Sequence, residues 1–187
     1  AQDLSAIAVN QGPGSFTGLR VGLSVAQGLA FAADCPVIPI ASLEVIASYL
    51  AGLPNVTEAK YCFVAIDARM DQIYSAWFAL NVSQHENNVE QISEISVVAP
   101  ADIFVPAFID GHQVIAMGSG LQYLADFPES IRQKLTVIGQ DQSAEAAEVS
   151  IETLLSMALQ RIESEVGIAA ADLDALYVRN KVTGRPG

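Results

Sequence analysis

The sequence predicts an α/β protein of two lobes, the first an incomplete copy of the second. Three observations predict it. Through residues 1–56, short apolar runs bounded by turn residues alternate with helical patterns, as parallel βαβ units do. Beyond residue 57, three strand-like runs follow one another with little but turn residues between them, which reads as an antiparallel meander. Helix and strand then alternate again, so the second part reads βββαβαβα and the first only βαβα, the back half of the same order.

Residues 4–10 form a short buried strand carrying Leu4, Ile7 and Val9, and Gly12-Pro13-Gly14 turns the chain out of it. Ser15 or Thr17 can cap the next helix, because a hydroxyl oxygen accepts from first-turn amides that have no helical partner. That helix covers residues 17–33, and residues 37–40 are the second strand. Ser42 caps a helix over 43–50 with Glu44 near its positive end, and Gly52 and Pro54 stop it. Residues 54–59 read as a lobe boundary, giving a partial amino lobe at 1–56 and a carboxy lobe at 57–187. In the latter, 61–67, 72–80 and 89–98 are the meander strands. Residues 100–108 read as helical, 112–117 as a strand, 121–126 as a short helix and 135–138 as a strand. The longest helical pattern spans 143–166, a last extended run 173–178, and residues 183–187 a frayed tail. A duplicated βββαβαβα unit is the actin-like, ribonuclease-H-type architecture, here with an amino lobe short of three strands and a helix. Ala1 stands where a strand is already entering the fold, which points to a processed or trimmed chain.

The charge balance narrows the function. The net charge is −12 with nine Lys and Arg, scattered except for Arg179, Lys181 and Arg185. A chain that grips RNA alone needs a basic footprint, so any role in RNA chemistry requires a basic partner. No uncharged apolar run is long enough for a membrane span, and the sequence shows no positively charged start followed by an apolar signal core. Cys35 and Cys62 are far apart and flanked by apolar residues, as buried thiols of a cytoplasmic protein are.

The most unusual segment is Gly12-Pro13-Gly14-Ser15-Phe16-Thr17-Gly18-Leu19-Arg20-Val21-Gly22. A glycine-rich turn from strand to helix is a plausible anion site. Yet Thr17 stands where the dinucleotide pattern needs glycine, and no lysine supplies a P-loop. Ser15 lacks the flanking glycines of a nucleophile elbow. In the helix that follows, Gly18, Gly22, Ala26 and Ala30 recur every fourth residue, a spacing that lets another backbone approach. Leu19, Val21, Leu23, Val25, Leu29 and Phe31 make its remaining faces apolar, so the helix needs cover on more than one side. An ordinary internal helix and a partner-facing helix both satisfy that need.

This segment, the Val37-Ile38-Pro39-Ile40-Ala41-Ser42-Leu43 run, the Asp67-Ala68-Arg69-Met70 hairpin with Tyr74, Gly118-Ser119-Gly120 and Tyr177-Val178-Arg179 together resemble the TsaB (YeaZ) family over nearly the whole chain. The resemblance implies the actin-like fold and a scaffold role. Proteins of this family pair with a TsaD catalytic subunit and work with a TsaE ATPase, and the assembly transfers a threonylcarbamoyl group to N6 of adenosine 37 in tRNA. ATP and a metal ion are expected on the partner subunits, none on this chain alone, and tRNA is met only indirectly. It also implies a partner interface on the first helix, at Thr17, Gly18, Leu19, Arg20, Gly22, Leu23, Ala26 and Ala30, with a homodimer possible through the same helix. The family begins with a further segment carrying an Asp-Thr-Ser turn and another helix.

In actin-like folds two hairpins embrace phosphates, one per lobe. Asp67 and Arg69 stand in the second, where a long side chain replaces the glycine that close approach favours. Gly118, Ser119 and Gly120 border the same degenerate nucleotide cleft. A stand-alone peptidase or hydrolase near Asp67 is the alternative, as is a homodimeric binding module. His85-Glu86 begins like a zinc motif, but Val89 replaces the second histidine. His112 lies at a strand start without a carboxylate partner, and Asp67 with Asp71 flank a turn.

Overall fold

The structure, a computed structural model, describes residues 4–54, 56, 59–82, 87–138, 150–164 and 166–178. Two sheets carry it. The smaller is a parallel pair, β1 (Ile7–Gly12) beside β2 (Val37–Ala41), joined by α1 (Phe16–Ala33). The larger has the order β5-β4-β3-β7-β8, with β6 also on β4. Its strands are β3 (Tyr61–Arg69), β4 (Gln72–Val82), β5 (Asn87–Gln91), β6 (Ser96–Val98), β7 (Val114–Met117) and β8 (Leu135–Val137). β3–β4 and β4–β5 are antiparallel, whereas β3–β7 and β7–β8 are parallel. The meander followed by parallel additions is the order the sequence predicts.

Helix α2 (Ser42–Ala51) joins the sheets. Seven of its ten residues are buried. Leu43, Ile46, Ala47 and Leu50 pack on Cys62, Val64 and Phe78 of the large sheet, while Val45 packs with Ile38 and Ile40 on the small one. Burying a Leu or Ile side chain contributes roughly 1.5–3 kcal/mol, so this helix holds the lobes together. Ser42 is its first residue rather than its cap. Its hydroxyl donates to Asn10 Oδ1 at 2.8 Å, and Asn10 also accepts from the Gly12 N–H at 2.9 Å. On the other face of the large sheet, Phe63 packs against Trp77 and Phe127.

Three local expectations change. Residues 100–108 are not a helix but two 3₁₀ turns, Pro100–Asp102 and Ala107–Ile109. Pro106 has no N–H and disfavours helix at Val105, and the Phe104 carbonyl between them accepts the Trp77 indole N–H at 3.1 Å. The run 89–98 breaks into β5 and β6. After a short α3 (Glu129–Arg132), the long final helix, α4, spans Ile151–Glu163, capped by the Ser150 hydroxyl, which accepts from the Thr153 N–H. Residues 143–149 of the expected span lie outside the described residues.

Late segments pack across the expected division at 56/57. α4 packs through Leu154, Met157, Ala158 and Ile162 against Ala6, Ala8, Ile38 and Ile40 of the small sheet. Its Arg161 donates to the Pro39 carbonyl at 2.6 Å and pairs with Glu44 of α2. Ile168 bridges to Val37, and the Leu176 N–H donates to the Gln11 carbonyl. Residues 150–178 therefore return to the amino lobe. The small sheet has two apolar faces; among the described residues α1 covers one, and α4 covers the other together with Val45 of α2.

Arg161 is half-buried, so Arg161→Gln removes a charge-assisted bond and leaves Glu44 without its cation. We expect a loss of about 2 kcal/mol in urea unfolding. Burial pushes the Cys62 thiol well above its usual range, and Cys62 is fully enclosed whereas Cys35 is not. An aromatic disulfide reagent should therefore titrate Cys35 alone in the native chain and both thiols after denaturation.

Candidate functional site: an interlobe cleft and the open side of α1

The amino end of α1 faces the β3–β4 hairpin across a cleft of ≈ 690 Å³. One wall is Pro13 to Thr17 with Leu19 and Arg20, the other Ile66 to Arg69 with Tyr74, and residues 175–178 close the end. The peptide between Gly12 and Pro13 is cis. Gly12 has φ 99°, and a Cβ there would sit 2.8 Å from Leu19 Cδ1. The loop glycine thus lets the chain turn over Leu19, which is the structural use of the motif. Arg20 lies over the Phe16 ring, 3.8 Å from its centroid.

On the opposite wall, Asp67 is occupied in shaping the hairpin. Its Oδ1 accepts from the Arg69 N–H at 2.8 Å and its Oδ2 pairs with the Arg69 guanidinium at 3.2 Å. The nearby Tyr123 hydroxyl is pushed above its ordinary range by partial burial and by the Asp67 and Asp71 carboxylates, Arg69 opposing.

Gly118, Ser119 and Gly120 do not line this cleft. They pass behind β3. A Cβ on Gly118, which has φ 119°, would lie 2.1 Å from the Ala65 carbonyl oxygen, and one on Gly120 would lie 2.9 Å from the Ala65 carbonyl carbon. Ser119 Oγ accepts the Asp67 N–H at 3.0 Å. The motif is a packing device that seats the hairpin from below, so the expected nucleotide border keeps only Asp67 and Arg69.

Among the described residues, no group of three or more His, Cys, Asp or Glu side chains could hold a metal ion. His112 stacks edge-on against Tyr61, with ring centroids 5.4 Å apart. His85 and Glu86 lie outside the described residues, as do Arg179, Lys181 and Arg185.

The expected partner face of α1 divides in two. Leu23, Ala26 and Ala30 point inward and pack on Ile7, Val9, Val37, Ile168 and Leu173 of the same chain. Gln27 faces the same segment, its amide donating to the Ala170 and Leu173 carbonyls at 3.0 Å. These residues cannot meet a partner, and Leu19 is half-buried over Gly12. Gly18 and Gly22 point outward, with Thr17 and Arg20 exposed. The reason is rotational. Four residues advance a helix by about 40° beyond a full turn, so a stripe repeating every fourth residue winds from the outer side at Gly18 to the inner side at Ala30. The sequence signal missed was the flanking set: Val21, Val25 and Leu29, each more than half exposed, share the outer side with Gly18 and Gly22.

α1 is long and apolar enough to cross a membrane by length and composition, with a mean hydropathy of 1.2. Its inner side is nevertheless bonded and packed to its own lobe, while only 17 % of it is buried. It is a docked helix with an open side.

A two-lobed α/β chain with a cleft between the lobes and a buried helix joining its two sheets is a protein of the actin-like class. The family model for TsaD, tRNA N6-adenosine threonylcarbamoyltransferase, matches residues 1–173. The tRNA threonylcarbamoyladenosine biosynthesis protein TsaB of Haemophilus influenzae is 32 % identical, over 96 % of this chain and 72 % of that protein. The protein of the same name from Escherichia coli is 30 % identical, over 96 % and 73 %. A Pseudomonas aeruginosa crystal structure, described as an uncharacterized protein similar to peptidase YeaZ, superposes with a TM-score of 0.79 at 28 % identity, over 95 % of this chain and 75 % of that one. The chain belongs to the TsaB family.

The two kinds of glycine separate in a stability measurement. Gly118→Ala should cost about 3 kcal/mol or more, since both its φ and the Ala65 carbonyl forbid a Cβ. Gly22 is helical with open space around it, so Gly22→Ala should stabilise the isolated chain by up to about 1 kcal/mol.

Proposed function

We propose that this chain is the non-catalytic partner of a TsaD-like catalytic subunit in the N6-threonylcarbamoylation of adenosine 37 in tRNA. Its relatives carry that biosynthesis in their names, and the family model spanning most of the chain is that of the transferase. Chain and transferase thus share one fold, and two proteins of one fold can pair about a pseudo-two-fold axis through like surfaces.

The observation that carries the reading is the open side of α1. Val21, Val25 and Leu29 lie in water at consecutive i, i+4 positions beside Gly18 and Gly22. An apolar strip of this kind on a helix fixed from behind marks a surface that another protein covers. The glycines let a facing helix come near, and the branched side chains provide the buried area.

In this reading the chain binds and positions, and the reacting groups are the partner's. ATP and the metal ion belong to the catalytic subunit and a TsaE-like ATPase. The −12 charge leaves tRNA to a basic partner surface. The setting is cytoplasmic. Two copies of the chain would meet through the same strip, so homodimer and heterodimer compete for it.

Val25→Glu puts a carboxylate into the strip without touching the inner packing. Calorimetric titration with the TsaD-like subunit should show affinity reduced about a hundredfold, with the circular dichroism of the isolated chain unchanged. Undiminished affinity in that variant would overturn the reading.

A further inference from the structure

α1 is a long helix on a narrow footing. Of its 18 residues only Leu23, Ala26 and Ala30 are buried. An alanine withdraws a single methyl group from water, so Leu23 supplies most of the apolar hold. Alanines also make shallow ridges, which resist rotation of a helix weakly. Gly18, Gly22 and Gly28 lower the stability of the helix itself. Apolar packing of this kind keeps α1 near its lobe but leaves its rotation loosely set.

One polar side chain sets it. Gln27 lies on the same inner side as Leu23 and Ala30, and its amide Nε2 donates to the Ala170 and Leu173 carbonyls, each at 3.0 Å. These carbonyls flank the 3₁₀ turn Ala170–Asp172, and Leu173 is buried against α1. The segment that carries them is anchored at both ends. Ile168 exchanges two backbone bonds with Val37 of β2, both at 2.9 Å, and the Leu176 N–H donates to the Gln11 carbonyl of β1 at 2.8 Å. Two bonds from one flat amide to two fixed points define an angle as well as a distance. Two residues along a helix turn it by about 200°, so Gln27 stands opposite Val25 and Leu29. A change at Gln27 leaves the side chains of the outer strip as they are.

We propose that Gln27 is a positioning residue for docking, whose paired bonds hold α1 at the rotation that presents Val21, Val25 and Leu29 to the TsaD-like subunit. The proposal rests on the functional reading above and places the cause of that presentation on the far side of the helix. Without the tie, α1 occupies several orientations and the strip meets the partner in only a fraction of them. The apparent affinity then falls by that fraction. Preorganisation of this kind raises affinity without adding a contact.

Glutamine, methionine and lysine have similar helix propensities, so two substitutions isolate the donor. Gln27→Met keeps length and bulk and removes both N–H groups. Gln27→Lys restores donors at a similar reach. Val25→Glu marks the α1 contact itself. Each chain is titrated calorimetrically with the TsaD-like subunit at a temperature where circular dichroism shows it folded, and amide exchange is followed in the free chain. Gln27→Met should bind about tenfold more weakly, with faster exchange across residues 17–33 and none of that change in β3 and β7. Gln27→Lys should bind within about threefold of the parent. A residue that only stabilised the fold would lower the Tm of Gln27→Met and leave the affinity of the folded chain untouched. That result, with Val25→Glu still weakened, overturns the proposal and leaves the α1 reading standing. Equal weakening by Gln27→Met and Gln27→Lys, or unchanged exchange across 17–33 in Gln27→Met, overturns it as well. If Val25→Glu binds like the parent, or the parent does not bind, both readings fall. Should Gln27→Met fail to fold, Gln27→Asn, which keeps the amide but withdraws it by one methylene, is titrated in its place under the same outcomes.

Discussion

The constraint on which the rest depends is that the described residues close α1 on one side and leave the other open. Leu23, Ala26 and Ala30 meet β1, β2 and the 168–173 segment, and the Gln27 amide is tied to two carbonyls of that segment. Fixed in this way, the helix cannot roll to hide Val21, Val25 and Leu29. The apolar residues of the outer side are thus left open by the described residues. A free amphipathic helix would resolve the conflict by turning, but a helix bonded from behind cannot.

The same economy of surfaces explains the path of the chain. A two-stranded sheet has two apolar faces and little else to hold it. α1 takes one face, and the chain returns after the large sheet is complete so that α4 can take the other. α2 is buried on both sides between the sheets, and Arg161 joins α4 to α2 and β2 in one cluster of charge-assisted bonds. The cleft lies between the amino end of α1 and the β3–β4 hairpin. Its walls are the glycine turn, shaped around Leu19, and the β3–β4 hairpin, shaped by Asp67 and Ser119. Both carry residues that resemble nucleotide-binding hardware, yet each is used to support backbone.

Much of this was legible in the sequence. The alternation of short apolar runs with helices gave the parallel pair, the meander gave the large sheet, and the glycine segment pointed to α1 and to its family. Four things were hidden, for different physical reasons. Residues 100–108 have helical spacing, but Pro106 and the tie from Trp77 to the Phe104 carbonyl decide against it. The partner side of α1 was drawn along Gly18, Gly22, Ala26 and Ala30, although a four-residue repeat winds around the helix and ends inside the chain. The return of residues 150–178 to the first lobe is a long-range event. Periodicity shows that Leu154, Met157 and Ala158 need a surface, but does not say which. The role of Gly118 and Gly120 was likewise invisible, since the Ala65 carbonyl that excludes a Cβ is over fifty residues away.

Amide hydrogen exchange of the chain, alone and with the TsaD-like catalytic subunit, tests the central claim most directly, because it reads α1 without altering it. The account predicts that complex formation slows exchange across residues 17–33 while the central strands β3 and β7 stay as they were. Slowed exchange elsewhere with α1 unchanged would contradict it.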